Sequence, residues 1–125
     1  MKRSRRDWQL ALLLAATIAG VALLHYTAPM NHVWVHPLLQ RAYYIPVLLA
    51  ALWFGWRGGL AAAGLAGATY IPHIVSAWKY EPEYTAAQYI EIGMFFAIAA
   101  LTGLLLITSA LRGARLKKRR ANCVT

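Results

Sequence analysis

The chain has 125 residues, 60% of them hydrophobic, and a formal net charge of +9. That length suits one domain, and the apolar share exceeds the roughly 45–50% of an ordinary soluble globule, which excludes a typical water-soluble fold. The charge does not point to nucleic acid, because the cations border apolar segments, where the expected counter-charge is anionic lipid at the cytoplasmic face. The one cysteine, Cys123, excludes an internal disulfide and a CxxC metal site.

A basic N-terminus, residues 1–7, opens the chain with "MKRSRR". The first apolar segment, 8–24, reads "WQLALLLAATIAGVALL". A cleaved signal peptide is the alternative for this segment, but the following "HYTAPMNH" has no small-x-small cleavage site, so a retained helix is expected. An outer loop over 26–37 carries Pro29, His32, Trp34, His36 and Pro37. The second segment, 38–56, ends at the turn "WRGG", where Gly58 and Gly59 are expected to give the backbone freedom to reverse. The third segment is 59–78. A loop with two acids, "KYEPEYT", follows, and the fourth segment is 87–111. Residues 112–125 form a basic tail. Each apolar segment has roughly the 17–25 residues needed to cross a bilayer as a helix. The expected fold is an all-α integral membrane protein with four transmembrane helices in an antiparallel bundle.

Eleven of the thirteen Lys and Arg residues fall at the N-terminus, the "WRGG" turn or the tail, leaving only Arg41 and Lys79 on the other side. The positive-inside rule then places both termini in the cytoplasm. Tyr26, Trp34, Tyr43, Tyr44, Trp78, Tyr80 and Tyr84 would line the outer interface, and Trp8, Trp53 and Trp56 the inner one.

Arg41, Tyr44, His73, Gln88 and Glu91 come from three segments at similar depth near the outer boundary. Ionisable groups inside a membrane segment face the bundle interior and pair. Glu91 is therefore expected to bond to His73, to Arg41 or to both. Three roles stand for this layer: holding the helices in register, binding a small molecule, ion or proton, and binding a metal. His32 and His36 have the i, i+4 spacing of one helical face, and with His25 they form a candidate Cu or Zn site. Small residues at Gly59, Ala63 and Gly67, and at Gly93 and Ala97, allow close helix approach, either within the bundle or to another chain. No nucleophile elbow, phosphate loop or HExxH is present, so no catalytic residue is assigned and no enzyme is expected. A proton-exchanging small multidrug exporter would need a carboxylate deep in the first helix, and 8–24 has none.

The tracts "HPLLQRAYYIPVLLAALWFGWRGG", "TYIPHI" and "QYIEIGMFFAIAALTGLL" together resemble the N-terminal four-helix membrane region of bacterial two-component sensor histidine kinases. The matching positions include Gln40, Arg41, Tyr43, Tyr44, Pro46, Arg57, Tyr70, Pro72, His73, Gln88, Tyr89 and Glu91, and the likeness covers about 30–110. The resemblance implies a multi-pass protein of the bacterial inner membrane. It departs from the family after the fourth segment, where no PAS or kinase domain follows, so kinase activity does not carry over. Two functions follow as expectations. One is a stand-alone sensor-like or ligand-binding module, whose ligand biases two helix arrangements. The other is a small accessory subunit of a respiratory or photosynthetic complex, docking through its small-residue faces. Either expects a protein partner or a homo-oligomer.

Overall fold

The computed structural model describes residues 4–29, 31, 32, 34–77 and 82–124. Its elements are α1 (Arg5–Thr27), α2 (Val35–Ala42), α3 (Tyr44–Ala77) and α4 (Pro82–Val124). No strand occurs among the described residues, so the fold is all-α. Of the expected belt, Trp78 and Tyr80 lie outside the described residues.

Ser4 starts α1. Its hydroxyl accepts from the Asp7 backbone N–H at 3.3 Å, and its own N–H donates to Asp7 Oδ2 at 3.1 Å. This reciprocal pair satisfies two of the N–H groups that a helix start leaves free. The helix then buries one stripe, Leu14, Ile18, Ala22 and His25, spaced by three or four residues. Leu12, Leu13, Leu23 and Leu24, on the other faces, are exposed.

α2 and α3 are nearly continuous. Tyr43 separates them and remains in the right-handed region. Pro46 lies in the first turn of α3, where its missing N–H leaves the Ala42 carbonyl without its helical donor. The ladder is picked up on either side by Tyr43 N–H donating to Gln40 O at 3.2 Å and Val47 N–H to Tyr43 O at 3.3 Å.

The decisive feature of α3 is Gly55, with φ 75° and ψ −167°. That region is open to glycine and strained for other residues. The chain reverses there. Tyr43 and Tyr70 would stand roughly 40 Å apart along an unbroken helix, but their ring centroids are 5.9 Å apart. The reversal point is thus Gly55, not the expected Gly58–Gly59 pair. Those two glycines serve close approach instead. A Cβ on Gly58 would lie 2.3 Å from Phe54 Cβ, and one on Gly59 would lie 2.8 Å from Ala51 Cβ and 3.1 Å from Ala99 Cβ.

Among the described residues, three helical stretches are long and apolar enough to cross a membrane: Arg5–Thr27, Val35–Ser76 and Pro82–Val124. The four segments expected from sequence become three because 38–56 and 59–78 join into one stretch broken at Gly55. Among the described residues, α4 packs only on α3, whereas α1 packs on α2 and α3. Gly103 admits the Trp56 backbone, since a Cβ there would meet Trp56 Cβ at 2.3 Å and Cα at 2.6 Å. The row Gly59, Ala63 and Gly67 is buried inside the molecule, but Gly93 and Ala97 are exposed, with nothing within 4 Å of a Cβ on Gly93.

These contacts fix the two ends. Trp8, Phe54 and Arg57 line one cavity of about 620 Å³ between α1 and the hairpin. The start of α1, the Gly55 reversal and the Gly103 level of α4 therefore share one end. Beyond Gly103, α4 continues to Val124 for about 30 Å. From Ile107 onward its described side chains are all exposed, including Arg112, Arg115, Lys117, Lys118, Arg119 and Arg120. Leucines and isoleucines such as Leu52, Ile90, Leu101, Leu104 and Leu105 cover the outside. A contiguous apolar surface of this kind suits lipid rather than water. Tyr43 and Tyr44 do not join an interfacial belt. Tyr43 is buried at 0% exposure and Tyr44 is half-buried, both packed on Phe95.

Candidate metal centre

At the end opposite Gly55, three histidines from three elements converge. His25 comes from the last turn of α1, His36 from the first turn of α2, and His73 from the far limb of α3. Their exposures are 1%, 4% and 6%. Each offers one ring nitrogen to a cluster in which all three atoms lie within 4.8 Å of one another. The His25 and His73 centroids are 4.4 Å apart with their planes at 87°. His25 and His36 are 5.1 Å apart at 74°, and His36 and His73 are 5.7 Å apart and stacked.

Both ring nitrogens of His25, and Nε2 of His73, are buried with no hydrogen-bond partner. Buried polar groups are almost always paired, and leaving one unpaired costs about 1–3 kcal/mol. One nitrogen from each of His25, His36 and His73, within 4.8 Å of the other two, amounts to a donor set. An imidazole nitrogen binds Zn at about 2.0–2.1 Å, so a trigonal set has its nitrogens about 3.5 Å apart. Side-chain rotations of about an ångström close the observed cluster to that separation. The donor chemistry fits a borderline transition metal such as Cu or Zn, the ions that imidazole suits.

Each ligand reaches the site for a local reason. His25 continues the buried α1 stripe at i+3 from Ala22. His36 shares the inner face of α2 with Gln40, its i+4 neighbour, and both are buried. His73 shares the inner face of α3 with Tyr70 and Ile74, which are also buried. Pro72 precedes it, and Ser76 Oγ donates back to the Pro72 carbonyl at 2.8 Å.

The expected metal set of His25, His32 and His36 is corrected at one position. His32 is exposed and lies in a turn before α2, where its N–H donates to Pro29 O at 3.1 Å and its carbonyl accepts from Val35 N–H at 3.0 Å. The i, i+4 argument needed both histidines on one helix, and α2 begins only at Val35. His73 takes the third place.

The polar layer expected of Arg41, Tyr44, His73, Gln88 and Glu91 separates into distinct contacts. Tyr44 Oη donates to Glu91 Oε1 at 2.8 Å. Tyr70 Oη donates to Gln88 Oε1. No ion pair links Glu91 to Arg41 or His73 among the described residues, and Arg41 is exposed. Depth along a helix does not fix azimuth: His73 meets His25 on α1 and His36 on α2, while Glu91 meets Tyr44 on the near limb of α3.

Tyr70 is the residue the sequence reading left without a role. Its ring stands edge-on to His25 at 5.0 Å, and its hydroxyl reaches α4. The available signal was its i, i+3 spacing from His73. Tyr26 closes the other side, with its ring 5.1 Å from His73 and its hydroxyl donating to the Thr69 carbonyl at 2.9 Å.

No protein-family model, curated protein or solved structure matches the chain, and nothing among these comparisons identifies a histidine-kinase membrane module.

Proposed function

We propose that the protein is a multi-pass membrane protein that binds one transition metal ion through His25, His36 and His73 and acts as a sensor-like module. The observation that carries this reading is the convergence of three buried histidines whose ligand atoms lie within 4.8 Å of one another. In the bilayer the Gly55 hairpin makes two passes, giving four in all. The basic ends lie in the cytoplasm by the positive-inside rule, and the metal centre lies near the opposite face of a bacterial inner membrane. Anionic lipids at the cytoplasmic face would meet the cations at the start of α1 and beside Gly55.

The sensing step rests on connection. α4 supplies no ligand to the centre, but Tyr70 touches His25 and bonds to Gln88 on α4. Ordering the three imidazoles around an ion would fix Tyr70 and bias the position of α4, whose basic end projects beyond the bundle. The ion acts only through differential affinity for two arrangements. The likeness of 30–110 to kinase membrane regions supports the same reading, without the kinase.

Metal content tests it. Protein purified in lipid nanodiscs and dialysed against Cu or Zn is expected to hold one ion per chain. His25→Asn and His73→Asn should abolish that loading, and His32→Asn should retain it. Loading that is unchanged in His25→Asn and His73→Asn would end this reading.

A second reading is favoured by one surface. Gly93 and Ala97 form an exposed small-residue row on α4, the geometry that lets another helix approach closely. An accessory subunit of a larger membrane complex would dock there. Co-purification of a stoichiometric partner that is lost in Gly93→Leu supports it.

A further inference from the structure

We propose that the three-histidine centre selects monovalent copper over divalent zinc. This inference rests on the metal-binding reading above and concerns which ion the same site takes.

The donor set is neutral. The cluster holds three imidazoles and no cysteine or carboxylate. The Glu91 carboxylate is committed to Tyr44 on another face of the bundle. A bound ion therefore keeps its full charge in a buried site. The penalty for removing an ion from water rises with the square of its charge, so a divalent ion pays about four times what a monovalent ion of similar radius does.

Coordination number points the same way. A zinc site is almost always four-coordinate. Here the nearest hydroxyls are turned elsewhere: Tyr26 donates to the Thr69 carbonyl, and Tyr70 donates to Gln88. Tyr43 packs its ring on Tyr70 and Phe95, and its buried hydroxyl has no hydrogen-bond partner. Tyr26 and Tyr70 present their rings to the imidazoles, and Gln40 is buried one turn from His36 on α2. A fourth ligand would have to be a water, and a buried water needs two to four polar partners, more than the Tyr43 hydroxyl, the one buried side-chain oxygen without a partner among the described residues, supplies. Monovalent copper has a filled d shell and is content with two or three nitrogen donors.

The test is a competition titration of the wild-type protein in lipid nanodiscs. Under anaerobic reducing conditions, Cu(I) is delivered from bicinchoninate, and Zn(II) is titrated separately with a chromophoric indicator. We expect one equivalent of Cu(I), held at least about 100-fold more tightly than Zn(II), a difference of about 2.8 kcal/mol. A hundredfold excess of free Zn(II) should leave the copper in place. Zn(II) binding as tightly as Cu(I), or displacing it, would overturn the selection and leave metal binding itself standing. Binding of neither ion would overturn both.

Discussion

Tyr70 joins two parts of the molecule that do not otherwise meet. Its ring lies 5.0 Å from His25 on α1, and its hydroxyl donates to Gln88 on α4, whereas α1 and α4 have no contact of their own among the described residues. Any influence of the histidine centre on α4 must pass through α3, and Tyr70 is the side chain placed to carry it.

Tyr70→Phe keeps the ring and removes only the donor. Metal loading should persist, with affinity changed by at most about 10-fold, the lower end of what groups behind metal ligands contribute. A label on Cys123, the single cysteine and an exposed one, reads the far end of α4. Metal should change its spin-label mobility in the wild type, and Tyr70→Phe should blunt that change. An equal response in both proteins would remove Tyr70 from the path.

Glu91→Gln separates the two polar contacts. Glu91 bonds Tyr44 and stands apart from the imidazoles, so metal affinity should be unaltered. Stability should fall by about 1–2 kcal/mol as a charge-assisted bond becomes a neutral one. Metal titration and thermal unfolding in the same detergent check both halves.

The Gly55 reversal predicts a sharp positional difference. Gly55→Ala places a Cβ at φ 75° and should destabilise by about 1–3 kcal/mol. Gly20→Ala, at a helical site with nothing within 4 Å, should be neutral or stabilising by up to about 1 kcal/mol. Gly103→Leu should be worse than either, because its Cβ would already meet Trp56 Cβ and Cα, and overpacking typically costs about 1–3 kcal/mol or more. Unfolding midpoints of the three variants rank them.

Topology follows from the same hairpin. The proposed two passes of the Gly55 hairpin put both ends of the chain on one side, so Cys123 should be protected from a membrane-impermeant maleimide in intact spheroplasts, while His32→Cys in a Cys123→Ser background should react. Labelling of Cys123 from outside would mean that Val35–Ser76 crosses only once.

Much of the architecture could be read in the chain. The apolar runs give the helices, and Gly59, Ala63 and Gly67 are buried where close packing was expected. The site was less legible because it depends on azimuth. The hairpin turns at Gly55 rather than at Gly58, and His73 meets His25 on α1 rather than Glu91. His36 was recognisable only as half of an HxxxH spacing whose other half, His32, precedes its helix. Gly103 carried no signal of its own, since its function is to make room for a backbone 47 positions away in the chain.

The most direct test of the metal centre is X-ray absorption at the copper or zinc edge of metal-loaded protein in lipid nanodiscs. Three imidazole nitrogens at about 2.0 Å are expected, falling to two or fewer in His73→Asn. A first shell of oxygen or sulfur, or a spectrum unchanged by His73→Asn, would contradict the site built from His25, His36 and His73.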